Sequence, residues 1–492
     1  MIDPQRWLRL ETQRGLRASA CCLLAAIVAA CGGTAEVVRP LTARGDVDAI
    51  FAEYDRPGSP GCALGVIQNG DFVYRRGYGS AHLEHAVPLD ADSVLKVASV
   101  SKQFTGMLIL LLDERGDLAL DDELGTWIPE MADLGPITIN HLLHHTSGLR
   151  DYLTLTRLAG YREHDYFTAA DVLDLMSRQR ELNFAPGDEY LYSNTGYVLL
   201  ALIAERATER SFADLAHDLI FTPLGMESTQ FDVDPMAVVP RRAQGYATSP
   251  EGFVVSMTDL PIVGDGGLLT TVNDLLVWDR NFYENRLGKG DPELIRRWVT
   301  PGRLNGGGGA TLTGGGTYGA GIIVDEYRGV GRVRHSGSYV GYRGNISRYP
   351  AVRATVITLC NAAGADAPGL ADSVADVFLD TVLAPAAADS APAPEAPASD
   401  DFTVAVSQLR QYQGRYVSRE LGVTYVLRIR DGRLVASLPD RWETVLSALG
   451  DGIFVDPATD VRIRFARNSA QRVDGFLLDA ERVVGLRFER IG

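Results

Sequence analysis

Long apolar runs are missing from this chain. No stretch of eighteen or more apolar residues occurs in its 492 residues, so no membrane-spanning helix is expected. Positive charge is also in deficit. Lys and Arg number 47 against 63 Asp and Glu, and the resulting net charge of −16 argues against a nucleic-acid-binding surface. Cysteine is scarce, with five in all. What remains is the composition of a globular protein, 46% hydrophobic and 22% charged, and too long for one ordinary core. Two folded units are expected.

Three of the five cysteines fall at the N-terminus. Arg6, Arg9, Arg14 and Arg17 precede an apolar stretch, Ala18 to Ala30, that ends in "VAAC". Residues 1–30 therefore read as a secretory signal. The small residues before Cys31 resemble the lipobox of bacterial lipoproteins, which implies lipidation at Cys31, a membrane anchor, and a short tether over 31–44. Export would place the protein in an oxidising compartment. Cys62 and Cys360 are then the only thiols left, either two buried thiols, the plainer reading, or one disulfide.

A helix is expected at about 42–55. "GCALGVIQNGDFVYRRGYG" reads as two strands about an Asn69-Gly70 turn. Helical patterns dominate from about 99 to 290. "HSGSYVGYRGNISRYP" and "ATVITLCNA" return to strand character, and "GLADSVADVFLDTVL" is helical. One sheet completed by both ends of residues 45–383, with a helical region inserted, accounts for this order. Residues 384–400 are Ala/Pro-rich and read as a linker. Residues 401–492 form short alternating strands, including a hairpin about Asp431-Gly432, and read as a small barrel or sandwich.

"VASVSKQFTGMLILLLDERG" places Ser99 and Lys102 one turn apart at the head of a helix that Gly116 is placed to stop. Phe104, Met107, Leu108, Leu111 and Leu112 predict an amphipathic helix. An amine within reach of a hydroxyl is a nucleophile with its base, provided the lysine pKa is lowered. An N-capping serine beside a solvated lysine has the same spacing. Two further motifs bear on the choice: Tyr192-Ser193-Asn194 ahead of an apolar helix, and His335-Ser336-Gly337 opening a strand, where a small residue lets a substrate backbone lie alongside the edge.

Ser-x-x-Lys, Tyr-x-Asn and His-x-Gly in this order resemble the serine β-lactamase and penicillin-binding-protein superfamily. The Tyr-x-Asn form is similar to its class C β-lactamase-like branch, with D-aminopeptidases, alkaline D-peptidases and esterases. "LDDELGTWIPEM", "ITINHLLHHTSGLRDY", "PGDEYLYSNTGY" and "GDGGLLTTVNDL" add to the likeness. The resemblance implies an α/β (α+β) fold, an antiparallel sheet with an inserted all-helical region, over 45–383. It implies Ser99 as the acylated nucleophile, Lys102 as its activator, and Tyr192 as a shared base lowered in pKa by Lys102. Asn194, His335 and Gly337 would bind substrate, and the backbone N–H groups of Ser99 and Ser338 would form the oxyanion hole. It also places the strands of Cys62 and Cys360 side by side.

His335 departs from the pattern, because β-lactamases of this branch carry lysine there. The fixed cation for a β-lactam carboxylate is weakened, and small peptides with D-residues, amides or esters are the expected substrates. A β-lactamase, or a sensor that is acylated by penicillin and stays so, are the alternatives. His141, His144 and His145 lack a completing ligand set, so packing roles are expected and no metal or other cofactor. "GDGGLLTT" has no phosphate-loop lysine. "LRQYQGRYVSR" resembles the opening of the lipocalin-like domain that follows some peptidases of this group. Nothing in 402–492 supplies a nucleophile and base, so that unit is expected to act at the cleft mouth or in assembly with further copies of the chain.

Overall fold

The computed structural model describes residues 44–162, 165–385 and 404–491. The expected signal, the lipidation site Cys31 and nearly all of the linker lie outside the described residues.

Seven strands build the main sheet. They are β1 (Cys62–Gln68), β2 (Asp71–Tyr78), β3 (Thr317–Tyr318), β4 (Ile323–Tyr327), β5 (Val330–Tyr339), β6 (Tyr342–Tyr349) and β7 (Ala354–Cys360). Their order is β3-β4-β5-β6-β7-β1-β2, antiparallel throughout. The two ends of the 45–383 segment thus meet as neighbouring interior strands. Both of them, β1 and β7, are buried along their whole length, which is why they read as mostly apolar runs. Asn69 (φ 51°) and Gly70 (φ 86°) turn β1 into β2 as expected.

Alternation along β1 separates two cores. Cys62, Leu64 and Val66 face the helices α1 (Arg44–Ile50) and α2 (Ala367–Phe378), packing with Phe51, Val374 and Phe378. Ala63 and Ile67 face the inserted helical region. The first helix is shorter than expected, ending at Ile50. Cys62 and Cys360 sit directly opposite in register and form a disulfide, so the expectation of two buried thiols is corrected. The register makes the bond available, since paired residues of adjacent antiparallel strands lie within disulfide reach.

The helix expected after Ser99 runs from Lys102 to Arg115 and stops at Gly116, in the left-handed region at φ 80°. It is not amphipathic. Every residue from Lys102 to Leu112 is buried, because the helix runs through the middle of the inserted region rather than along its surface. Clearance there is close: a Cβ at Gly106 would stand 2.0 Å from the Ala320 carbonyl oxygen.

Residues 414–491 close an eight-stranded antiparallel barrel in simple up-and-down order, the first strand, Gly414–Ser418, pairing with the last, Val483–Ile491. Its expected hairpin turns at Asp431 (φ 51°) and Gly432 (φ 75°). Rings of Tyr416, Phe465, Phe476 and Phe488 pack on one another in the interior. The barrel is docked on the first unit by Arg150. This side chain is 1% exposed; it donates to the Val484 carbonyl and to Gln179, and pairs with Glu420 at 2.5 Å.

Candidate active site

The nucleophile candidate sits on a tight turn. Ala98–Ser101 is a single 3-10 turn leading into the buried helix. Ala98 holds φ 46°, an unusual value for a residue with a Cβ. Strand β5 presses on this turn. A Cβ at Gly337 would stand 2.1 Å from the Val97 carbonyl oxygen and 2.9 Å from the Ser99 nitrogen. Glycine at 337 therefore gives clearance to the backbone of the Ser99 turn, and it also lines the cleft.

Lys102 is wholly buried, and its amine is the hub of the site. Nζ lies 3.3 Å from Ser99 Oγ, donates to Asn194 Oδ1 at 2.9 Å and to the Asp265 carbonyl at 2.6 Å, and stands 4.9 Å from the centre of the Tyr192 ring. Burial pushes this amine down from the ordinary lysine value to about 8, while Asp265 and Asp151 pull it back up and Arg482 lowers it further. Burial pushes the Asp265 carboxyl the other way, up to about 6, against the Lys102 charge and a hydrogen bond from Tyr152. A lysine so placed can give up its proton near neutral pH.

Tyr192 differs from its expected state. Burial raises its phenol above the ordinary tyrosine value, and Lys102 is not what lowers it; the adjacent Ser99 hydroxyl and Arg482 do. Its hydroxyl is buried without a hydrogen-bond partner of good geometry. In the resting site Tyr192 is thus a neutral phenol, and Lys102 is the group poised to lose a proton. Asn194 opens the helix Asn194–Thr208, its backbone N–H donating to Asp151 Oδ2 at 2.7 Å. Its side-chain oxygen faces Lys102, so its amide N–H₂ is the part left to meet a substrate carbonyl.

His335 is buried and neutral. Nδ1 lies 2.7 Å from the Ser336 carbonyl and is therefore the protonated nitrogen, so Nε2, 2.9 Å from the Tyr318 hydroxyl, accepts. Burial and the Lys102 charge lower its pKa to about 3. The expected loss of a fixed cation at this position is complete. Ser338 follows in the same strand and lines the cleft with Ser99. The cleft holds about 860 Å³ and is bounded by Tyr152, Phe167, Leu260, Ile262, Tyr339 and the barrel residues Glu481 and Arg482, among others.

Sequence reasoning missed four contributors. Asp265 lies in the Gly-rich loop "GDGGLLTT", which counted toward the family likeness without a role for its aspartate. His145 packs its ring 4.3 Å from that of Tyr192 and accepts from the Ser193 N–H; the run of histidines gave a signal, without its meaning. His141 caps its helix through the Thr138 N–H, and His144 bonds the Asn140 carbonyl. No group of three or more His, Cys, Asp or Glu among the described residues could hold a metal. Asp151 lies near the end of the stretch "ITINHLLHHTSGLRDY" without a role assigned to it, and Arg482, at 4.9 Å from the centre of the Tyr192 ring, had no signal at all.

The beta-lactamase family profile matches residues 47–379, more than half of the chain. The chain belongs to the beta-lactamase family. Penicillin-binding protein 4* of Bacillus subtilis is 35% identical over 312 residues, covering 60% of this chain and 66% of that protein. A D-aminopeptidase of Gluconobacter oxydans is 31% identical over 307 residues, 62% of this chain and 56% of the relative. The chain thus spans between about half and two thirds of these relatives. Among solved structures, an octameric penicillin-binding protein homologue from Pyrococcus abyssi superposes with a TM-score of 0.61 at 24% identity, over 90% of this chain and 99% of that one. The likeness in fold therefore extends beyond the beta-lactamase domain into the barrel.

Proposed function

We propose that this member of the beta-lactamase family is an exported serine hydrolase that works through an acyl-enzyme on small peptides, amides or esters. The observation that carries the reading is the contact of a buried amine of lowered pKa, Lys102 Nζ, with Ser99 Oγ at the floor of a cleft. Neutral Lys102 takes the Ser99 proton as Oγ attacks the carbonyl carbon. The tetrahedral oxyanion is met by the N–H groups of Ser99 and Ser338. The Tyr192 hydroxyl, beside Ser99, donates its proton to the leaving nitrogen or oxygen and is refilled from Lys102. Water then enters on the same path in reverse and releases the acid. Serine reactivity depends on such a base, and its loss removes orders of magnitude in rate.

A neutral His335 favours peptides and esters over β-lactams, whose carboxylate would want a cation there. The D-aminopeptidase relative supports D-configured substrates. The Bacillus subtilis relative, by its name, keeps the penicillin-binding alternative in view. The Cys62–Cys360 bond supports export, and the "VAAC" leader a lipid anchor on Cys31. The octameric relative supports assembly of further copies, and the up-and-down order supports a lipocalin-like reading of the barrel.

A panel of D-amino-acid amides and peptides, p-nitrophenyl esters and nitrocefin, with Ser99→Ala as the blank, tests the reading. Turnover of an ester or D-peptide above nitrocefin is expected. A stoichiometric burst without turnover on every substrate would make the protein a sensor.

A further inference from the structure

The catalytic unit lost a cation at His335, and the fold returns one from elsewhere. The barrel turn that joins its last two strands carries Glu481 and Arg482 into the cleft. That turn is fixed. The Arg482 carbonyl accepts from the Asp151 N–H at 3.2 Å and from Asn183 Nδ2 at 3.1 Å. The Val484 N–H donates to Asn183 Oδ1, and its carbonyl accepts from Arg150. Arg157 pairs with Glu481 at 2.7 Å. So held, the Arg482 guanidinium stands 4.9 Å from the centre of the Tyr192 ring, the same distance as Lys102 Nζ.

We propose that Arg482 of the barrel is a positioning residue of the hydrolase site, supplying the second positive charge that drives the proton off the Lys102–Tyr192 pair. The inference rests on the hydrolase reading of that pair. A phenol that is passing on a proton acquires negative charge spread over its ring. A cation over the ring face stabilises that state more than the neutral phenol. The same charge opposes protonation of Lys102, and both groups feel Arg482 in this sense. Lys96, Arg157, Arg162 and Arg343 also line the cleft. Asp265 and Asp151 oppose Arg482 from the loop and from the start of helix Tyr152–Leu158. Glu481 lies 3.1 Å from Arg482 and Asp151 3.9 Å, each cancelling part of its charge. His145 and His335, on the remaining sides, are neutral, their pKa values lowered by burial. Tyr190, Tyr197 and Tyr318 are neutral phenols raised by burial.

The test uses the full chain and an uncharged ester, p-nitrophenyl butyrate, so that no carboxylate or amine on the substrate can answer to Arg482. kcat/KM and the rate of labelling by a fluorophosphonate are followed from pH 5 to 10. In Arg482→Met the acid limb of both profiles should move up by about half to one pH unit, a fall of roughly 3- to 10-fold at pH 7 that closes at high pH. Arg482→Lys should restore most of the shift. Glu481→Gln, which frees the Arg482 charge, should move the limb down. An Arg482→Met profile lowered equally at every pH, or one identical to wild type, overturns the proposal. So does a Glu481→Gln limb that moves up. A wild-type chain that neither labels nor turns over the ester overturns the hydrolase reading instead, and this inference falls with it.

Discussion

Gly337 and Ser99 are packed backbone to backbone: a single carbon added at 337 would stand 2.9 Å from the Ser99 nitrogen and 2.1 Å from the carbonyl oxygen of Val97. Gly337→Ala must therefore displace the turn that holds Ser99, the proposed nucleophile, and its backbone N–H. Overpacking of this kind costs about 1 to 3 kcal/mol of stability, and a shift of about an ångström at the reacting atom costs on the order of 100-fold in rate. The variant should fold, melt earlier, and acylate about 100-fold more slowly. Fluorophosphonate labelling beside a thermal melt checks both halves.

Tyr192→Phe should separate stability from activity. The hydroxyl it removes is buried with no partner beyond its contact with Ser99, so its loss should change stability by no more than about 1 kcal/mol. Turnover should fall by about 100- to 10,000-fold, the usual worth of a proton-transfer group. A urea titration and ester kinetics on the same preparation decide; parallel losses in both would make Tyr192 a packing residue.

Much of this was legible in the sequence. Ser99, Lys102, Tyr192 and Asn194 are carried by two short contiguous motifs at element boundaries, and the fold brings them together. The sheet was legible because its two halves carry strand patterns at both ends of one segment. What was not legible comes from long-range closure. Asp265 reaches Lys102 across 163 residues, and Arg482 reaches Tyr192 from a different folding unit; no local pattern marks a residue for a contact of that kind. The Lys102–Arg115 helix misled for a related reason. Its apolar positions follow a helical stripe, but Gln103, Thr105 and Gly106 on the other side are buried too, one as Gly against a backbone carbonyl and Thr105 by donating to the Gly264 carbonyl.

His335 predicts an acid sensitivity. Its folded pKa is lowered to about 3, against an ordinary value of about 6.5 in the unfolded chain. Between those values the unfolded state binds more protons, so this group's contribution falls as pH drops from about 6.5 towards 3. By pH 4.5 the loss should be about 2 to 3 kcal/mol. Denaturant midpoints at pH 7.5 and 4.5 should diverge less in His335→Gln than in wild type. Equal divergence would mean that the imidazole is not held neutral.

The catalytic rate should rise with pH through the neutral range. Lys102 acts as base only when uncharged, and burial brings that form within reach near pH 8. kcat/KM on a neutral ester should climb from pH 6 and level above about 8. Lys102→Arg, charged at every accessible pH, should abolish the climb together with activity. A flat profile from pH 6 to 9 would remove Lys102 from the role of base.

Glu420 bears on how separable the barrel is. Glu420→Ala strips the carboxylate from a buried Arg150, and an unpaired buried charge costs about 3 to 5 kcal/mol. A chain ending at residue 385 also loses the Val484 carbonyl, but with the barrel gone Arg150 is open to water. Glu420→Ala should therefore lower the melting temperature of the catalytic unit more than the truncation does. Melting curves unaffected by either change would show that the barrel only rests on its neighbour.

The Cys62–Cys360 bond spans 298 residues. Ser99, Lys102, Tyr192 and His335 all lie inside that covalent ring, and the barrel hangs from it as a tail. One backbone cut anywhere between Cys62 and Cys360 opens the ring without dividing the molecule. After a protease cut in an exposed loop, such as the one bearing Met236 and Val238, 87% and 92% exposed, the nicked chain keeps its two pieces together. On a denaturing gel such a molecule runs whole until reductant is added, and only then comes apart into two bands.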